Sequence, residues 1–226
     1  MKTKDKIVLT SLELFNERGE RNISTNHIAS HMGMSPGNLY YHFRNKSDII
    51  YEIFKNYELL VDSYLHVPTD RAIHIHDLIS YLDAVFNGLW AYRFIHRDLE
   101  HLLSSDNRLR EDYRHFTLRC LEGIQRIILA MEESGIYQPM AEQQRKSKAL
   151  NTWLIVTNWM TYLKSIHVSE NAEEALSHKS IQHGVYLVLD YVMPYLYEDK
   201  RELALELQEK YRFDDIAPKP ELSKAS

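Results

Sequence analysis

Residues 24–43 read Ser24-Thr25-Asn26-His27-Ile28-Ala29-Ser30-His31-Met32-Gly33-Met34-Ser35-Pro36-Gly37-Asn38-Leu39-Tyr40-Tyr41-His42-Phe43. Ser24 suits the cap of a short helix, because its hydroxyl can accept a backbone N–H that the first helical turn leaves without a partner. Ile28, Ala29 and Met32 give that helix an apolar side, and Gly33 stops it. Ser35 repeats the cap, and Pro36 follows where a missing N–H does no harm. Two short helices joined by a tight glycine turn, with the small Ala29 at their crossing, make the pattern of a helix-turn-helix. The second of them, Pro36 to Phe43, is expected to lie in the major groove of DNA. It offers Asn38, Tyr40, Tyr41 and His42, with Lys46 just beyond, while Leu39 and Phe43 read as core. Hydroxyl, amide, imidazole and ammonium groups all hydrogen-bond phosphates or base edges.

Outward from this stretch the chain keeps a helical period. Val8, Leu12 and Phe15 mark a first helix stopped by Gly19. A fourth, capped by Ser47, carries Ile50, Ile53, Phe54, Tyr57, Leu60, Val61 and Tyr64. A fifth carries Leu78, Leu82, Phe86 and Leu89; a shorter sixth carries Phe94, Leu99, Leu102 and Leu103. Asp106 opens a long seventh helix that Gly135 closes. The eighth, about 141–167, carries Leu150, Trp153, Leu154, Thr157, Met160 and Leu163. The ninth, about 175–197, should kink or end at Pro194. Segment 198–213 is expected to add a more exposed helix, and 214–226 a flexible tail. The fold class is therefore all-α with about nine or ten helices. Its expected organisation is a helix-turn-helix domain over 1–47, a linking helix 48–66 and a larger helical domain within 48–213.

With only seven glycines and six prolines in 226 residues, long helices are favoured over an all-β fold. The apolar runs are too short to cross a bilayer, and no signal-peptide core follows Met1, so no membrane partner is expected and the reading is cytoplasmic. The single cysteine, Cys120, excludes an intramolecular disulfide framework and reads as a small core residue. A net charge of −5 argues against non-specific coating of nucleic acid. Residues 1–48 nonetheless carry seven Lys/Arg against five Asp/Glu, a slightly basic head on an acidic body.

Ile28-Ala29, Gly33-Met34-Ser35, Gly37-Asn38-Leu39-Tyr40-Tyr41-His42-Phe43 and Lys46 together resemble the DNA-binding domain of the TetR family, with matching order and spacing from about Ile7 to Phe54. The resemblance implies an all-helical homodimer. Its N-terminal domain would bind a palindromic double-stranded operator, and its C-terminal domain a small effector, most such proteins being repressors. By the same resemblance Thr25, Ser35, Gly37, Asn38, Tyr40, Tyr41, His42 and Lys46 occupy DNA-contacting positions. It also implies that helices 141–167 and 175–197 pair with their copies. Both being apolar on more than one side suits elements buried twice. The chain departs from the family at His27, often acidic there, and at Met32, often alanine.

Beyond residue 70 no motif carries chemistry. Phe86, Trp90, Phe94, Tyr113, Phe116, Trp153, Trp159 and Tyr162 lie in or near inward stripes. Large planar side chains make walls for an apolar ligand and equally good core. All but Trp159 are carried forward as candidate ligand contacts, which makes the expected effector hydrophobic or aromatic. No cofactor is expected. His27 and His31 stand at i, i+4, but no third ligand is evident, so no metal site is expected either. There is no Gly-x-Ser-x-Gly elbow, phosphate loop, His-Glu-x-x-His or dinucleotide fingerprint, and no enzyme is expected. The alternatives kept open are a constitutive or architectural DNA-binding protein without inducer and an enzyme with an unrecognised site.

Overall fold

The computed structural model describes residues 1–166 and 176–213. The tail 214–226 and the expected ends at 167 and 175 lie outside them. Among the described residues there are eleven α-helices and two 3-10 turns: α1 (Thr3–Arg18), α2 (Thr25–His31), α3 (Pro36–His42), α4 (Lys46–Tyr64), α5 (Ile75–Ala91), α6 (Arg93–Arg97), α7 (Leu99–Ser105), α8 (Asn107–Glu133), α9 (Glu142–Ile166), α10 (His178–Val192) and α11 (Glu198–Glu209). The only extended pairing among them is an isolated bridge between Tyr137 and Leu196. No described helix is long and apolar enough to cross a membrane.

The local signals act as the sequence suggests. Ser24 Oγ accepts from His27 N at 3.2 Å, and Ser35 Oγ from Asn38 N at 3.3 Å. Gly19, Gly33 and Gly135 take positive φ, which a side chain resists, and each follows a helix. Pro194 falls in the 3-10 turn Met193–Tyr195 that ends α10. Four details differ. The cap of α4 is Asn45, whose Oδ1 accepts from Asp48 N at 2.9 Å, so the helix starts before Ser47. The expected sixth helix is two, broken at Asp98 with φ −112° and ψ 18°. On α1 the buried positions include Ile7, Val8, Ser11, Leu14 and Phe15, with Leu12 only half-buried, because α2, α4 and α6 all pack against it. The final helix is covered on one face by Ala204, Leu207 and Gln208.

The chain forms two compact units, one from Met1–His66 and Gly88–Ile124, the other from Val67–Asn87 and the residues from Gln125 onward. The unit that holds residues 1–47 thus extends well beyond them. Asn16 explains part of this: its amide donates to Ala91 O at 2.7 Å and accepts from Phe94 N at 3.1 Å. Arg97 adds hydrogen bonds to the last carbonyls of α1, Phe15 O at 2.6 Å and Asn16 O at 3.2 Å. Carbonyls at a helix end have no partner within the helix, so a guanidinium placed there both satisfies them and complements the helix dipole. Phe15 and Phe94 rings meet at 5.2 Å beneath this joint. Along α4 and α8 a row of ion pairs links Arg108 to Asp48 at 3.1 Å, Lys55 to Asp112 at 3.6 Å, and Arg119 to the buried Glu58.

In the second unit α10 packs on α9 and α11. Trp159 donates from Nε1 to Ser180 O at 2.9 Å, and Tyr211 donates to Asp83 Oδ1 at 2.7 Å. On α9 the buried side is Ala149, Val156, Trp159, Met160 and Leu163. Leu150 and Leu154, expected in its apolar stripe, are 46% and 47% exposed. A helix turns 100° per residue, so these two cannot share the face of Ala149 and Val156.

Candidate nucleic-acid interface

The helix-turn-helix is built on four buried side chains. Ile28, Ala29 and Leu39 are fully buried and Phe43 nearly so, which fixes α3 against α2. With Leu39 and Phe43 inward, the i+1 and i+2 positions must point out. Tyr40 is 47% and Tyr41 84% exposed, and Asn38, Gly37 and Ser35 are exposed as well. His42 is half-buried, its ring edge-on to Tyr41 at 5.1 Å. Thr25 Oγ1 and Tyr40 OH are hydrogen-bonded at 2.9 Å, which ties the start of α2 to the outward face of α3.

His27, the departure noted above, has a local role. Its Nδ1 accepts from Ser24 N at 3.3 Å while Ser24 caps His27 N, a reciprocal capping box in which imidazole does what an acidic side chain does elsewhere. Among the described residues no group of three or more His, Cys, Asp or Glu side chains is placed to hold a metal ion.

A shallow cleft beside α3 is lined by Arg21, Asn22, Ile23, Ser24, Thr25, His27, Tyr40, Arg44, Asn45 and Lys46. Arg21 and Arg44 are exposed and absent from the residues the sequence singled out. Neither belongs to an α-helix, Arg21 lying in a 3-10 turn and Arg44 in the link between α3 and α4, so no helical periodicity could mark them; what brings them to one cleft is the fold of these two connections. Three cations around hydroxyl and amide groups suit a sugar–phosphate backbone. Lys46, by contrast, is partly engaged inside the protein. Its Nζ lies 2.6 Å from Glu20 Oε1 and donates to Glu20 O at 3.0 Å.

The aromatic candidates of the body fall into separate groups. Tyr113 and Phe116 come together with Phe54 and Tyr57, their ring centroids 5.6 to 5.9 Å apart. Phe94 is core against Phe15, and Trp90 carries the Arg93 guanidinium 4.3 Å over its ring. In the other unit Phe86 is fully buried, Tyr162 stacks on Trp159 at 5.3 Å, and Trp153 is half-buried. Cys120 is core, its thiol pushed up to about 12 by burial.

Tyr57 also hydrogen-bonds His96 Nε2 at 2.8 Å, while His96 Nδ1 is buried without a partner among the described residues. Burial holds the His96 imidazole down to about 4, against an ordinary 6.5, so it stays neutral in the folded chain. The unfolded chain takes up that proton first as pH falls. Stability from this group is therefore complete above pH 6.5 and lost towards pH 4. The loss amounts to about 3 kcal/mol. Urea unfolding at about pH 7 and about pH 4.5 should show a larger acid loss for the natural chain than for His96→Phe. Parallel losses would refute this.

Residues 7–53 match the sequence profile described as bacterial regulatory proteins, tetR family, and residues 56–204 match the TetR profile described as bacterial transcriptional repressor. The chain is similar to a TetR-family transcriptional regulator from Marinobacter aquaeolei VT8, at 57% identity and a TM-score of 0.87, covering 94% of this chain and 100% of that one. It resembles the SmeT–triclosan complex in fold, at 16% identity and a TM-score of 0.58, covering 87% of this chain and 92% of that one; SmeT is the repressor of a Stenotrophomonas maltophilia multidrug efflux pump. It is 28% identical over 100 residues to an HTH-type transcriptional regulator from Staphylococcus aureus (strain MRSA252), 43% of this chain and 52% of that protein. The match thus spans about half the length of that curated relative. With two profiles covering the helix-turn-helix and most of the body, and with the fold to match, the chain belongs to the TetR family of DNA-binding transcriptional regulators.

Proposed function

We infer that the protein is a repressor that binds a palindromic operator as a homodimer and is released by a small, mainly hydrophobic or aromatic effector. The observation that carries the DNA half is the outward row Asn38, Tyr40 and Tyr41 on a helix locked by buried Leu39 and Phe43, beside a cleft lined by Arg21 and Arg44. Residues 1–47 act as the reading head, with Thr25, Ser35, Gly37, Asn38, Tyr40, Tyr41, His42 and Lys46 as its contacts and Arg21 and Arg44 added to them. Such work takes place in the cytoplasm, where the DNA is.

Dimerisation through about 141–167 and 175–197 is supported by Leu150 and Leu154, two exposed leucines on a helix whose other side is already buried. A two-fold dimer presents two recognition helices about 34–36 Å apart, one DNA turn. For the effector, triclosan bound to SmeT shows that a small aromatic molecule can occupy a protein of this fold. In this chain the Tyr57, Tyr113 and Phe116 group, with His96 as a neutral polar partner, suits such a molecule.

A palindromic duplex selected by the protein from a random-sequence pool tests the reading. Tyr41→Ala should weaken binding to it at least tenfold, an amount on the order of one good base or phosphate contact. Hydrophobic compounds that raise the melting temperature should also lower operator affinity. A pool that yields no palindrome, or binding that survives loss of residues 1–50, overturns the DNA assignment; binding that no compound alters points to a constitutive factor.

A further inference from the structure

Glu20 stands in the 3-10 turn Glu20–Asn22, directly after Gly19, and is 2% exposed. A carboxylate removed from water costs several kcal/mol unless a cation offsets it. Lys46 is that cation. Its ammonium commits two of its three N–H groups, one to Glu20 Oε1 at 2.6 Å and one to Glu20 O at 3.0 Å. The side chain is still 29% exposed and lines the cleft with Arg21, Tyr40 and Arg44. A lysine held from two sides is no longer a swinging point charge. Seen from a distance the pair has no net charge, so it adds little to the field that draws any duplex.

The geometry points to Glu20 as a positioning and specificity-determining residue: it aims the remaining N–H of Lys46 at one DNA phosphate and cancels the charge by which Lys46 would hold any sequence. This rests on the reading of the head as the DNA-facing surface. Affinity from phosphate neutralisation is independent of sequence and follows salt, whereas a directed hydrogen bond acts only when the duplex is in register. Cancelling one charge while fixing one direction therefore lowers non-specific binding more than operator binding. His101 Nε2 lies 3.7 Å from Glu20 Oε2, an oxygen buried without a hydrogen-bond partner among the described residues.

The test measures full-length protein on a mixed-sequence duplex of about 30 base pairs across a salt series, and on the selected palindrome. For Glu20→Gln, affinity for the mixed duplex should rise about five- to tenfold at 0.1 M salt, and the slope of log K against log salt should steepen by about 0.9. Adding Lys46→Gln should return both to the natural values. Glu20→Asp keeps the charge but withdraws the carboxylate. It should leave the mixed-duplex slope unchanged and weaken operator binding. A purely structural Glu20 would lower the melting temperature and leave the slope alone, and an unchanged slope in folded Glu20→Gln overturns the inference. Should that variant not fold, equal operator affinity of Glu20→Asp and the natural chain overturns it. Failure of the natural protein to bind either duplex overturns the DNA-facing reading instead.

Discussion

The double reversal Arg21→Glu with Arg44→Glu should weaken binding to any duplex by roughly four thousandfold at 0.1 M salt. Both side chains are exposed and line one cleft with Thr25 and Tyr40. Each cation that neutralises a phosphate contributes a slope of about 0.9 in log K against log salt, close to tenfold at that concentration. A reversal removes that contribution and adds a repulsion of similar size, so two reversals multiply to the figure given. Among the described residues neither side chain makes a hydrogen bond or ion pair, and both lie outside the α-helices, so melting should stay near that of the natural protein. The slope itself should become shallower by about two units or more. A filter-binding or anisotropy series in salt reads both quantities, and an affinity loss under tenfold would show that the cleft does not face DNA.

Gly184→Ala should destabilise the protein by about 2 kcal/mol, lowering the melting temperature by roughly 5 °C. Gly184 lies within α10, where its φ is not positive and alanine would by itself favour the helix by up to about 1 kcal/mol. Packing reverses the sign. An added Cβ would lie 2.9 Å from Trp159 Cδ1 and closer still to the Phe86 ring. Phe86 is fully buried, and Trp159 is tied through Nε1 to Ser180 O at 2.9 Å, so neither ring can swing away cheaply. Gly88 supplies the contrast. Its nearest neighbour to an added Cβ is Tyr64 at 3.6 Å, an ordinary contact, and Gly88→Ala should be neutral or stabilising. Chemical unfolding of the two variants decides the matter; equal effects would mean that α10 does not depend on close approach.

The caps at Ser24 and Ser35, the stops at Gly19 and Gly33, and the proline start of α3 were readable, because each acts on backbone groups within one helical turn. Leu39 and Phe43 as core, and Tyr40 and Tyr41 as outward residues, followed from helical period alone. The break at Asp98 was not readable, since neither glycine nor proline marks it, and the choice of Asn45 over Ser47 as a cap was open because both residue types cap well.

By itself, then, the sequence determined an all-α chain with a helix-turn-helix near its start, and which side of α3 faces out. Tertiary structure alone decided that Lys46 is held by Glu20, 26 positions earlier, that Arg21 and Arg44 share a cleft, and that Asn16 bonds Phe94, 78 positions later. It also decided that the aromatic residues of the body sit in separate groups. Helix signals are local backbone chemistry, whereas a buried charge or a packed ring acquires its partner only when distant segments are brought within a few ångströms.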